Sequence, residues 1–164
     1  MKNILGSLSL LVVTVAFFAF RAAPANFSGS WKLNEGKSEL GQFGGRGAAS
    51  KIVVDQKTDA VTISRTATGF DGQEATNTET MSEGKEVEST VFGSAKRKAT
   101  LKWAADQQSF TISFTILIER DGQSMEIKGA ENWTIAADGK TITLANTVNT
   151  PQGEFSTKMV YDKQ

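Results

Sequence analysis

Four polar residues interrupt otherwise apolar alternations. Arg65 shares two-residue spacing with Val61 and Ile63, and Arg97 with Ala99, Leu101 and Trp103. Glu131 falls in phase with Ile127 and Trp133, and Asn146 with Leu144 and Val148. Residues two apart in an extended chain share a face. If that face is dry, two guanidinium groups, a carboxylate and an amide point inward with the apolar set. A buried charge must be paired or solvated. Two arrangements satisfy this. One is a set of internal salt bridges near the ends of the fold. The other is a polar anchor for the head of a small molecule in an otherwise apolar cavity, with Trp103, Phe114, Trp133 and Tyr161 as walls. The candidate ligand-binding set is therefore Arg65, Arg97, Trp103, Phe114, Glu131, Trp133, Asn146 and Tyr161. A β-bulge would reverse the parity locally.

Catalysis has little to draw on. The chain has no His and no Cys. That removes the Ser-His and Cys-His nucleophile systems and most zinc, copper and haem sites. It also removes any disulfide framework. Glu79 and Glu131 are the inward-parity carboxylates, and nothing in the sequence places them together. Glu79 is the weaker of the two, because its segment "ATNTETM" has no clear dry face. No loop repeats oxygen ligands at calcium-loop spacing. No catalytic residue, metal or cofactor is expected, and a carboxylate-based hydrolase is the least favoured reading.

The elements that must position these residues are strands. "SFTISFTILIE" sets Phe110, Ile112, Phe114, Ile116 and Ile118 against Thr111, Ser113 and Thr115, a strand with one dry face. Similar alternation recurs through the chain. It predicts ten strands near 28–34, 51–56, 60–67, 75–81, 86–92, 96–104, 109–119, 124–136, 140–149 and 154–162. Turn signals separate most of them, among them Glu83-Gly84, Asp121-Gly122 and Asp138-Gly139. Short links imply an antiparallel up-and-down meander. With no amphipathic helix to cover the dry face, the meander must close on itself or fold into a sandwich. Closure into a small barrel of about 8–10 strands removes exposed edges and suits neighbour-to-neighbour pairing. The one long link, residues 34–50, is Gly-rich and is placed to form a flap or plug across one end. Its "GGRG" lacks the Gly-Lys-Ser/Thr of a phosphate loop. Acidic residues between 71 and 90 face basic Lys96, Arg97, Lys98 and Lys102 on the next segment, which implies cross-strand pairing.

Residues 1–25 read as a signal peptide: Lys2, an apolar run over 4–20, and Ala23-Pro24-Ala25 as a small-x-small cleavage pattern. The alternative is a retained anchor, since the run is near the minimum length for a bilayer span. Cleavage after Ala25 would leave 139 residues, 26–164, as one domain. Removing Lys2 and Arg21 from a balance of 18 basic and 18 acidic residues leaves a net charge of −2. That does not advertise nucleic acid as a partner. The expected location is periplasmic or secreted, with no stable membrane span after cleavage.

The first expected strand carries Gly29-Ser30-Trp31. Gly-x-Trp at the head of an antiparallel barrel resembles the calycin superfamily, which includes lipocalins and fatty-acid-binding proteins. The stretch from Gly29 to Asn34, followed by Lys37-Ser38, is similar to exported bacterial lipocalin-like proteins of unassigned function. The resemblance implies a lipocalin-like barrel in which Trp31 closes one end and a late cation packs over it. Arg120, Lys158 and Lys163 are the available cations. The C-terminal "MVYDKQ" is similar to the last strand of fatty-acid-binding proteins, with Tyr161 on the Tyr position. Met159 stands where those proteins carry a carboxylate-gripping Arg. The expected function is non-catalytic binding of a small, largely apolar ligand outside the inner membrane. The alternative is an envelope or secreted protein-interaction module with a filled barrel.

Overall fold

Period-two alternation and frequent Thr favour extended backbone, and strands make up most of the described residues. The computed structural model describes residues 23–41, 48–69, 72–91, 93–120 and 122–164. Most of the expected signal peptide, the middle of the 34–50 link, and Phe70, Asp71, Phe92 and Asp121 lie outside the described residues. Ten strands follow in order: β1 Gly29–Leu33, β2 Lys51–Gln56, β3 Val61–Thr68, β4 Glu74–Met81, β5 Glu86–Val91, β6 Ala95–Trp103, β7 Ser109–Arg120, β8 Gln123–Ile135, β9 Thr141–Thr150 and β10 Gly153–Lys163. They form one antiparallel sheet ordered β4-β3-β2-β1-β10-β9-β8-β7-β6-β5. The pairing of β1 with β10, Trp31 opposite Lys163, joins the two ends of the meander.

The barrel is nearly closed. Its two outer strands, β4 and β5, are consecutive in sequence yet share no backbone ladder. Full closure would have abolished both edges; a seam remains instead, and side chains lace it.

The hairpins sort into two ends. The β2–β3, β4–β5, β6–β7 and β8–β9 turns lie at one, and the β3–β4, β5–β6, β7–β8 and β9–β10 turns at the other. The first end is shut. Residues 25–28 run beneath it, held by Gln56: Phe27 N–H donates to Gln56 Oε1 at 2.9 Å, and Gln56 Nε2 donates to the Ala25 carbonyl at 3.0 Å. Ala25 N–H donates to the Gln107 carbonyl at 2.9 Å. The expected cleavage point after Ala25 thus falls within this crossing. Phe27 packs edge-on to Phe110 with centroids 4.8 Å apart, and Phe110 stacks on Trp133 at 5.2 Å. Trp31 Nε1 donates to the Phe27 carbonyl at 3.0 Å. Trp31, Trp133, Phe27, Ile52, Ile63, Leu101 and Ile112 are all fully inaccessible. Burying each large apolar side chain contributes about 1.5–3 kcal/mol, so this half of the barrel is the stability core.

The other end is the mouth. β1 runs toward it and β2 returns from it, so both ends of the 34–50 link sit there. A 3-10 turn spans Glu35–Lys37, and Glu39 forms a bridge with Lys158 of β10. Leu40 packs on the core, and Ala48 belongs to it. The centre of the expected flap, residues 42–47, lies outside the described residues.

Candidate functional site: an ion-pair cluster across the lumen

The motif at the first strand has a structural explanation. Lys163 Nζ stands 5.2 Å from the centroid of the Trp31 ring, so the late cation is Lys163; Lys158 instead pairs with Glu39 at 3.7 Å. Gly29 adopts φ +146°, and a Cβ there would lie 3.0 Å from Lys163 Cε. Its missing side chain makes room for the lysine stem over the indole. Asn34 caps the 3-10 turn by accepting from Lys37 N–H at 3.1 Å, and its Nδ2 donates to Asp162 at 2.6 Å. Lys37 Nζ pairs with Asp162 at 3.1 Å. The Asn34 hydrogen bond, then Lys37, holds the Asp162 carboxyl below its usual range. Ser38 Oγ donates to the Asn34 carbonyl at 2.7 Å and accepts from Val160 N–H at 2.9 Å. Asn34, Lys37 and Ser38 therefore staple the first strand to the last on the outside, whereas Trp31 packs into the core.

The off-pattern polar residues meet inside. Arg65 on β3 donates to Glu131 on β8 at 2.6 Å and to Glu79 on β4 at 3.3 Å. Arg97 on β6 donates through Nη1 to both oxygens of Glu79 at 2.7 Å. Arg97 Nη2 lies 3.7 Å from Glu131. Glu131 also accepts from Trp133 Nε1 at 3.1 Å. Two aromatic faces hold the guanidiniums in place: Arg65 sits 5.5 Å from the Trp133 ring and Arg97 5.0 Å from the Phe114 ring. Phe114 in turn lies against the bare Cα of Gly129, its cross-strand partner on β8. Asn146 faces Glu131 directly in the β8–β9 ladder. Tyr161 is buried nearby. Burial drives its phenol well above the usual range, with smaller effects from Arg65 and Glu131.

Glu79 and Ser89 are the functional-looking residues that alternation under-read. Glu79 is 5% exposed and joins everything else. It accepts from Arg65, Arg97 and the Ser89 hydroxyl on β5. Glu79 and Ser89 stand on opposite sides of the β4–β5 seam, and Asn77 Nδ2 adds a bond across it to the Thr90 carbonyl at 3.3 Å. The seam that lacks a ladder is thus clasped by side chains. Burial alone would raise the Glu79 carboxyl; the Ser89 hydrogen bond and the charges of Arg97 and Arg65 outweigh it, and the group titrates below its ordinary range. The signal was present in the two-residue spacing from buried Met81, but one apolar neighbour does not define a face.

Trp103 lies apart from the cluster, in the aromatic plug beside Phe27 and Phe110 at the closed end. The acidic and basic segments do pair across strands: Lys98 contacts Glu86 at 3.3 Å and Glu88 at 2.9 Å on the outer wall. Among the described residues no group of acidic side chains is arranged to hold a metal.

No protein-family model matches the chain, and no curated protein matches it. Solved structures do match in fold. The REP1-NXSQ fatty acid transporter aligns over 84% of this chain and 96% of its own at 13% identity, TM-score 0.56. A point variant of it gives 84%, 98%, 13% and 0.57. Zebrafish ileal bile acid-binding protein complexed with cholic acid gives 84%, 98%, 17% and 0.54. At such identity the likeness establishes the fold alone: an antiparallel, nearly closed β-barrel of ten strands.

Proposed function

We propose that the chain is a non-catalytic carrier that holds a small, largely apolar molecule in the mouth-side half of its barrel. One observation carries the reading. Phe27, Leu101, Phe110 and Trp133 at the closed end are fully buried, whereas the inward apolar residues toward the mouth, Val91, Ile118, Ile127 and Val148, are only partly buried. Keeping such side chains in partial contact with water forfeits stability unless something covers them. The ion cluster forms the floor beneath them. The similarity to structures described as a fatty acid transporter and a bile acid-binding protein points the same way. Both inward carboxylates are committed to arginines, which leaves neither free as a general acid or base. Export outside the inner membrane is part of the proposal and rests on Lys2, the apolar run and Ala23-Pro24-Ala25.

The test is native mass spectrometry of the protein purified from its own host's envelope, followed by displacement of an apolar dye. A discrete extra mass that vanishes on denaturation, and a chain processed near Ala25, support carrier and export respectively. A bare mass with no dye binding favours a filled barrel serving protein contacts. That second reading draws on the plug and cluster, which already occupy much of the lumen.

A further inference from the structure

Among the described residues, two buried side-chain polar atoms have no hydrogen-bond partner, Arg97 Nη2 and Asn146 Oδ1. Arg97 is only 5% exposed, so bulk water does not solvate its free donor. Both residues neighbour Glu131. Nη2 stands 3.7 Å from Glu131 Oε1, beyond hydrogen-bond reach. Asn146 is the residue directly opposite Glu131 on β9, and such partners have Cβ atoms about 5 Å apart. One unpaired atom is a donor and the other an acceptor. Buried groups of this kind are costly to leave unmade.

We propose that this pair receives the hydroxyl of an uncharged, alcohol-bearing apolar ligand. The proposal rests on the carrier reading above and names the ligand class of that same site. A hydroxyl oxygen can accept from Arg97 Nη2 while its proton is donated to Asn146 Oδ1. A carboxylate cannot do both, because it only accepts. With the amide oriented as in the structure, it would leave the Asn146 oxygen facing negative charge beside Glu131. The charge balance argues the same way. Arg65 and Arg97 are matched inside the barrel by Glu79 and Glu131. A third carboxylate would enter with no free cation, and an unmatched buried charge is expensive. Met159, which takes the strand position two before Tyr161, brings no charge to change this sum. The ligand's apolar body would lie against Ile116, Ile127 and Val148 toward the mouth.

The experiment compares hexadecanol with hexadecanoate as competitors of a bound apolar dye, on the folded protein at pH 8, where the acid is ionised. The alcohol is expected to displace the dye at a concentration about tenfold lower or better, the scale of one hydrogen bond to a charged group. Asn146→Leu should abolish that preference, read as the ratio of the two competitors' displacement concentrations on the variant itself, whatever its affinity for the dye. Equal competition, preference for the acid, or a preference that survives Asn146→Leu overturns the hydroxyl assignment and leaves the carrier reading standing. Absence of any dye binding overturns both.

Discussion

Replacing Glu79 by Gln removes one charge from the centre of the cluster while preserving shape. The amide keeps one acceptor oxygen and can still meet Ser89. It cannot neutralise Arg97, whose remaining acidic neighbour, Glu131, is 3.7 Å away and shared with Arg65. The lumen would then hold two cations against one carboxylate. Breaking a buried pair from one side costs about 3–5 kcal/mol. The lower end applies here, because Arg65 and Glu131 side chains retain 19% and 15% exposure and water can relax around them. A loss of about 3 kcal/mol should lower the melting temperature by about 10 °C for a domain of this size. Urea denaturation of Glu79→Gln, Arg97→Met and the double variant measures it. The double variant restores one cation against one carboxylate and fills the site with an apolar chain, so it should recover most of the loss. The pH profile supplies a second arm. Glu79 titrates below its ordinary value of 4.5 in the folded state. Its contribution is therefore complete above that value and is lost as the pH falls beneath it. The wild-type chain should weaken on acidification more steeply than Glu79→Gln. A single-variant loss under about 1 kcal/mol, or a double variant as unstable as the two losses summed, would refute the clasp.

Gly129→Ala should destabilise by about 1–3 kcal/mol in thermal melts, since a Cβ there would lie 2.8 Å from the Thr147 carbonyl and closer still to the Phe114 ring. The displaced ring would also take its face from Arg97. Trp31→Ala should cost about 3–5 kcal/mol by emptying the closed end, whereas Lys163→Met should shift the midpoint by under about 1 kcal/mol. A Trp31→Ala loss no larger than that of Lys163→Met would place the closed-end core elsewhere. Hydrogen exchange should find the β4 and β5 edge amides least protected and the β7–β8 ladder most protected, because the seam has no backbone pairing.

Strand content was legible because alternation is a local property. Phe110 to Ile118 declares its dry face without reference to any other segment, and all ten expected strands agree with the structure to within about one residue, close to the scatter of boundary assignment itself. The absence of His and Cys likewise narrowed the chemistry before any fold was known. The inward placement of Arg65, Arg97, Glu131 and Asn146 followed from the same parity. Their partnership did not. Arg65 and Glu131 are 66 residues apart in the chain, and which charges meet depends on how far each ladder shears as the barrel closes. Tertiary structure alone selected Lys163 for Trp31, sent Trp103 to the plug rather than the cluster, and made Glu79 the clasp of a seam that no sequence pattern marks. Faces are written in each strand by a period of two; partners are decided by register and closure, which are sums over the whole sheet.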